Sequence, residues 1–303
     1  MRVYFLSIIS LFLLPLTVLS QGDNGKNNMK LSQLTDNIYM LQARGGNIGL
    51  CIGEDGVFMV DDQFADSTPQ ILEEIKIISD KSVQFLINTH HHGDHTGGNI
   101  NMAQGGTTIF AHNNVRERLL AHIGKSSSEG KKVHESVLPV ITFAEDLNFH
   151  YNNEKIVAFH VGNAHTDGDV MVYFTKNNVL HTGDAYFAHR YPYIDLKSGG
   201  TIEGYIAGLQ KAYALINEDT KIIPGHGPVA KKQDLFYTIN MLNRLFKQVT
   251  LYHSEGKSIE EILTISEITS SYDDRGFGDG FITREKMLRT VYDDVAKEKI
   301  EKQ

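Results

Sequence analysis

Thr89-His90-His91-His92-Gly93-Asp94-His95-Thr96-Gly97-Gly98 follows directly on the apolar run Val83 to Ile87. A short aliphatic and aromatic run ending in turn residues reads as a buried strand. In the turn that leaves it, His90, His92, Asp94 and His95 crowd into six residues. Their side chains can therefore converge on one point with little loop to close. Three later segments share the design. Val161-Gly162-Asn163-Ala164-His165 leaves a strand ending at His160, Gly183-Asp184 leaves one ending at His181, and Pro224-Gly225-His226-Gly227 leaves one ending at Ile223. Each sets a His or Asp at a strand end beside a glycine that lets the backbone turn sharply. A His/Asp set without thiolate suits Zn²⁺ or Fe²⁺ and makes a poor Ca²⁺ site.

Working outward, residues 38–42, 47–52 and 57–60 are short β-type runs separated by Gly45-Gly46 and Glu54-Asp55-Gly56, which predicts an antiparallel meander. Ile71, Leu72, Ile75 and Ile78 recur at helical spacing after Pro69, which predicts a helix over 67–79. The second half repeats the theme, with strands near 156–159, 170–174 and 179–181, a helix over 202–215 and a strand at 221–223. Two β-then-α halves imply two sheets face to face with helices outside.

The whole chain has 303 residues and a net charge of −8. No cationic surface for a phosphate backbone is expected, so nucleic acid is not an expected partner. One cysteine, Cys51, excludes a disulfide framework and any Cys-rich zinc module. Residues 1–20, with Arg2 and then an apolar run from Phe5 to Leu19 closed by Ser20, read as a secretory signal peptide. The run is short for a bilayer-spanning helix, so no stable membrane insertion is expected after cleavage, and the mature chain is expected in the periplasm or outside the cell. Residues 21–30 read as a polar linker and 31–303 as one domain with a C-terminal helical extension.

The segment Thr89 to Gly98, followed in order by His165, Asp184 and Gly225-His226-Gly227, resembles the signature of the metallo-β-lactamase superfamily. The resemblance spans roughly Leu34 to Leu251 and implies an αββα four-layer sandwich. It also implies that His90, His92 and His165 hold a first metal ion, that Asp94, His95 and His226 hold a second, and that Asp184 bridges them. Two Zn²⁺ are the expected cofactors, with Fe or Mn as alternatives. Such an ion pair would lower the pKa of a shared water and hold hydroxide as the nucleophile, with Asp94 orienting it as the catalytic residue. The expected reaction is hydrolysis of an amide, lactam, lactone or (thio)ester in a small molecule. No G-x-S-x-G elbow is present, and Cys51 precedes every motif histidine, which disfavours a serine or cysteine nucleophile.

Within the family, subclass B1 β-lactamases carry Cys where this chain has Asp184 and a substrate-binding Lys where it has Phe187. Glyoxalase II enzymes share the bridging Asp but are generally intracellular. A persulfide-dioxygenase-like iron enzyme is the redox alternative. His91 is expected to point away from the metal, and His160 and His181 to be structural. Asp61, Asp62 and Asp169 are expected to back the ligand imidazoles. The loop Tyr186 to Gly200 leaves from beside Asp184, so His189, Arg190, Tyr191, Tyr193 and Lys197 are candidate substrate contacts. Residues 124–136, with Ser126-Ser127-Ser128 and Gly130, are a candidate lid.

Overall fold

The computed structural model describes residues 29–128 and 134–301. The apolar leader and nearly all of the expected linker lie outside that range. The first sheet has seven strands in the order β1 (Lys30–Gln33), β2 (Ile38–Gln42), β3 (Ile48–Gly53), β4 (Gly56–Val60), β5 (Val83–Asn88), β6 (Thr108–His112) and β7 (Ile141–Phe143). Lys30, expected in the linker, is the first residue of β1 and pairs with Gln42. The meander β1 to β4 is antiparallel, with Ile38 opposite Cys51 and Leu50 opposite Met59. From β4 onward the sheet is parallel, Met59 pairing with Leu86 and Leu86 with Ile109. Parallel strands covered on both faces need near-continuous apolar runs, and β4 is buried at every position.

Crossover segments supply the helices on this side: α1 (Thr68–Ile78), the single turn α2 (Gly93–Thr96), α3 (Asn99–Gln104) and α4 (Asn113–Ser128). The second sheet runs β12-β11-β10-β9-β8, from β8 (Asp146–Tyr151), β9 (Glu154–His160), β10 (Val170–Phe174), β11 (Val179–His181) and β12 (Lys221–Ile223). Its crossover helix α5 (Ile202–Leu215) joins β11 to β12, and α6 (Lys232–Ser254) follows. The chain ends in α7 (Ile259–Leu263), α8 (Ser270–Asp273) and α9 (Arg284–Glu301).

Three apolar layers hold the stack together. Phe58, Val60, Ile87 and Phe110 of the first sheet meet Ala158, Val172, Phe174 and Ile223 of the second. Outside the first sheet, Leu41, Leu50 and Met59 pack under Ile71, Ile75 and Met102. Outside the second, Met171, Leu180 and Ile222 pack under α5 and α6, where Leu242, Leu245 and Val249 also receive Leu288, Val291 and Val295 of α9. This is the expected four-layer αββα sandwich, and the C-terminal helices are part of its outer layer. Among the described residues, no helix is long and apolar enough to cross a membrane.

Within the candidate lid, residues 124–128 are the last turn of α4, 129–133 lie outside the described residues, and His134 leads into a 3-10 turn (Glu135–Val137). The apolar positions Leu119, Leu120 and Ile123 prolong the helix into the serine run.

Candidate metal centre

Strand pairing brings the motif segments to one edge. His181 pairs in parallel with Ile223, so the turns carrying Asp184 and His226 leave side by side. In the first sheet Val60 pairs with Ile87, so Asp61 and the His90 segment also leave together. The halves are stitched at this edge by Asn47, whose Nδ2 donates to the Pro224 carbonyl (2.8 Å) and the Gly227 carbonyl (2.9 Å), and by Val170 N donating to Thr89 O (2.8 Å).

His90 Nε2, His92 Nδ1, His165 Nε2 and one oxygen of Asp184 form one cluster. His92 Nδ1 lies 3.1 Å from His90 Nε2 and 2.9 Å from His165 Nε2, and Asp184 Oδ2 lies 3.7 and 3.6 Å from His90 and His165. Asp94, His95 and His226 form a second cluster, Asp94 Oδ2 lying 3.6 Å from His95 Nε2 and 3.2 Å from His226 Nε2. The other oxygen of Asp184, Oδ1, reaches this cluster at 3.1 Å from His95 and 3.5 Å from His226. Asp184 thus offers one oxygen to each group.

In four of the five clustered histidines the ring nitrogen facing away from the cluster is held by an acceptor. His95 Nδ1 donates to Asp61 Oδ2 (2.7 Å) and His165 Nδ1 to the Tyr193 carbonyl (2.7 Å). His90 Nδ1 lies 3.1 Å from Thr89 Oγ1, which spends its own proton on Asp61 Oδ2 (2.8 Å) and so accepts from the imidazole. His92 Nε2 faces Asp195 Oδ2 at 3.2 Å. In each case the bond leaves a lone pair on the nitrogen that faces the cluster, the tautomer a metal ligand needs.

Metal ions fit these residues. His95 Nε2 and Asp184 Oδ1 are fully buried and, although 3.1 Å apart, do not hydrogen-bond to each other, a costly arrangement unless a cation satisfies both. Burial disfavours charge on His226, yet the Asp184 and Asp94 carboxylates override it and lift the imidazole up to about 9. Burial likewise opposes the Asp184 carboxylate, and the neighbouring His95 and His226 still hold it well below the usual range. These carboxylates call for positive charge. The surrounding backbone leaves room for them, since a Cβ on Gly225 would sit 2.0 Å from Asp184 Oδ1 and one on Gly46 would sit 2.2 Å from the His95 ring.

The other expected residues divide. Asp61 backs an imidazole, at the cost of a left-handed backbone (φ 61°). Asp62 does not: its Oδ1 accepts from Gly98 N (3.0 Å). Nor does Asp169, which instead braces the turn by accepting from the backbone N of His165 and of Thr166. His160 stacks on His112 (3.9 Å), and His181 is held between Asn47 O and Gly183 N, so neither joins a cluster. His91 turns away, its Nε2 3.4 Å from Ser198 Oγ.

Above the clusters lies a cavity of about 510 Å³ lined by His92, Asp94, Asp184 and His226 together with Phe64, Phe187, Arg190 and Tyr193. Of the candidate substrate contacts, Arg190, Tyr191 and Tyr193 face this cavity. His189 and Lys197 do not. His189, exposed and in a left-handed conformation (φ 56°), borders a separate hollow with Asp234 and Arg275. Lys197 is exposed in the 3-10 turn that Asp195 caps. Sequence reasoning missed Asp195, Phe64 and the Gly280-Phe281-Ile282 segment, which comes from the C-terminal extension.

Residues 41–226 match the family model of the metallo-beta-lactamase superfamily. The chain is 22% identical over 228 residues to a metallo-beta-lactamase type 2 of Bacillus sp. (strain 170), covering 72% of this chain and 84% of that one. It is 26% identical over 158 residues to a hydroxyacylglutathione hydrolase of Pelagibacter ubique, covering 50% of this chain and 56% of that one. Its fold is similar to that of a metallo-beta-lactamase from Pontibacter korlensis (TM-score 0.60, 16% identity, 71% of this chain and 99% of that one). It is also similar to that of a double mutant of the sec-alkyl sulfatase PisA1 (TM-score 0.71, 14% identity, 87% of this chain and 50% of that one). Family match and fold agree with a set of clustered side chains that could hold metal ions, and the chain belongs to the metallo-β-lactamase superfamily of metal-dependent hydrolases.

Proposed function

We propose that this protein is an exported two-zinc hydrolase that cleaves the acyl bond of a small lactone, (thio)ester or amide. The observation that carries the reading is the division of Asp184, Oδ2 toward His90 and His165 and Oδ1 toward His95 and His226, which suits a carboxylate shared by two cations. Imidazole and carboxylate donors suit zinc or iron, and hydrolysis, which needs a Lewis acid without a change of oxidation state, favours zinc. When bound, the ion pair supplies an acidified water and polarises the carbonyl under attack.

The chain's own residues supply the rest. Asp94, 28% exposed and facing the cavity, can receive a proton from the attacking water and return it to the departing heteroatom. Its Oδ2 lies 3.2 Å from His226 Nε2 and 3.6 Å from His95 Nε2, so an ion held by these three residues would fix the carboxylate in one orientation. Tyr193 lies parallel to His92 (5.9 Å) and Phe187 to His226 (5.2 Å), shielding one face of each ligand ring from water.

A β-lactam is the less favoured substrate. Phe187 stands where the B1 enzymes carry their substrate-binding Lys, and its ring is stacked on a histidine. The intact second cluster, with all of Asp94, His95 and His226 gathered, favours hydrolysis over a mononuclear iron dioxygenase.

Metal analysis of the purified protein, combined with a screen over β-lactams, lactones and thioesters, tests the reading. Two ions per chain are expected, with turnover on at least one acyl class. Asp94→Asn, assayed at saturating metal, is expected to lower kcat by about 100-fold or more and to bind the second ion more weakly. A single ion per chain with no turnover on any class would overturn the proposal.

A further inference from the structure

The cavity wall contains a part that the family match does not reach. Gly280, Phe281 and Ile282 lie beyond residue 226 yet line the same cavity as the metal clusters. Phe281 is 72% exposed, a large apolar ring turned to water. Scattered exposed apolar residues are ordinary. This one is held in place from both sides. On the N-terminal side, Tyr191 N donates to the Phe277 carbonyl (3.1 Å) and Tyr191 Oη to Asp273 (2.8 Å). On the C-terminal side, the Arg284 guanidinium donates to Thr269 Oγ1 and to the carbonyls of Leu263 and Ile265. Lys286 Nζ donates to the Phe281 carbonyl (2.9 Å) and sits 4.4 Å from its ring centre.

The ring meets Tyr193 edge-on at 5.8 Å, and Tyr193 in turn lies over His92. Phe64, held under the Arg44 guanidinium at 4.6 Å, and Phe187 contribute two more rings to the same cavity. An ordered apolar wall beside the reacting carbonyl gains free energy only by covering apolar substrate atoms.

We propose that Phe281 is a specificity-determining residue and that it forms, with Phe64, Phe187 and Ile282, a wall for an apolar acyl chain several carbons long. The proposal rests on the acyl-hydrolase reading above and names its substrate class. A polar or very small acyl group would leave the wall facing water and gain nothing from it.

Two measurements on the zinc-loaded full chain test this. The first follows kcat/KM for p-nitrophenyl esters from acetate to octanoate. It is expected to rise about two- to fourfold per methylene, up to the value for full burial of each group. In Phe281→Ala the octanoate-to-acetate ratio is expected to fall about tenfold. The second uses the absence of tryptophan from this sequence. Phe281→Trp provides a single reporter at an exposed position where folding is not at stake, and its emission is expected to shift to the blue with octanoate and not with acetate. Phe236→Trp, exposed on α6 and outside the cavity, is the control that should not respond.

Ester turnover that ignores chain length, in wild type and variant alike, would overturn the acyl wall and leave the hydrolase reading standing. A reporter shift that grows with chain length, without turnover of any ester, would support the wall and count against the hydrolase. A silent reporter with no turnover would remove both.

Discussion

His92 directs Nε2 at the Asp195 carboxylate, 3.2 Å away, and thereby turns Nδ1 toward His90 and His165. Asp195 also joins the His92 and His165 segments, because its backbone N donates to the His165 carbonyl (2.9 Å) while its Oδ1 caps the turn through the backbone N of Lys197 and Ser198. Removing it frees His92 to rotate or to adopt the other tautomer. Asp195→Ala is expected to weaken the affinity for one of the two ions by about 10- to 100-fold, the usual cost of losing a carboxylate behind a ligand histidine. Asp195→Asn keeps an acceptor oxygen and is expected to lose less. Titration against a chromophoric chelator reads both values. Equal affinity in wild type and Asp195→Ala would show that the contact does not position the ligand.

Asp184 makes the sharper test of the paired clusters. Replacing it by Ala removes an oxygen from each, yet leaves three histidines around one and only Asp94, His95 and His226 at the more open other. The second cluster is therefore expected to lose its ion first, and metal analysis should fall from two ions per chain toward one. Two ions retained in Asp184→Ala would argue against the bridge.

The strands that carry the motif were legible because burial and turn chemistry agree there. Strands 170–174 and 179–181 and the helix 202–215 have the bounds that the apolar runs predict, and Gly183 and Gly225 mark where the chain must turn beneath Asp184. Two missed elements also carried a signal. Leu147, Phe149 and Tyr151 alternate with polar residues along β8, and Leu235, Leu242 and Val249 keep a helical spacing along α6. Asp195 carried none. It lies 103 residues from the histidine it orients, in a loop where an Asp ordinarily serves a turn, and only the folded path of Tyr191 to Ser198 brings it there. Phe281 was hidden for the same reason: its place at the cavity depends on how the C-terminal segment folds back over α6.

Cys51 tests the core rather than the metal. Burial in the layer between the sheets, with Glu154 adding repulsion, pushes its thiol up to about 12 from 9.0, against the opposing hydrogen bond from Asn152. Native protein at pH 8 should therefore react with iodoacetamide about a thousandfold more slowly than an ordinary thiol, and only unfolding should release the difference. The sign for stability follows. Below pH 9 the thiol is protonated in both states and contributes nothing. Between about 9 and 12 only the unfolded state gives up the proton, so the fold loses up to about 1.4 kcal/mol per pH unit. Denaturant titrations of wild type and Cys51→Ala should accordingly diverge least below pH 9 in slope and most above it. A parallel alkaline loss in both proteins would exclude the thiol as its source.

Arg190 and Lys197 come from one loop but occupy different surroundings, so they should not behave alike. Arg190 lines the cavity beside Phe187 and Tyr193, and among the described residues no ion pair involves it, which leaves its guanidinium free to meet an anionic group on the substrate. Lys197 is exposed on the capped turn and does not line the cavity. Arg190→Ala is expected to raise KM for a carboxylate-bearing substrate about tenfold with kcat near wild type, the pattern of lost binding shared by ground state and transition state. Lys197→Ala should leave both constants unchanged. A carboxylate-bearing substrate from the screen, assayed beside its analogue with a hydroxymethyl group in place of that carboxylate, separates the charge effect from packing, because the Arg190→Ala penalty should vanish for the neutral analogue. A KM penalty that persists on the neutral analogue would make Arg190 part of the wall and not the reader of a charge.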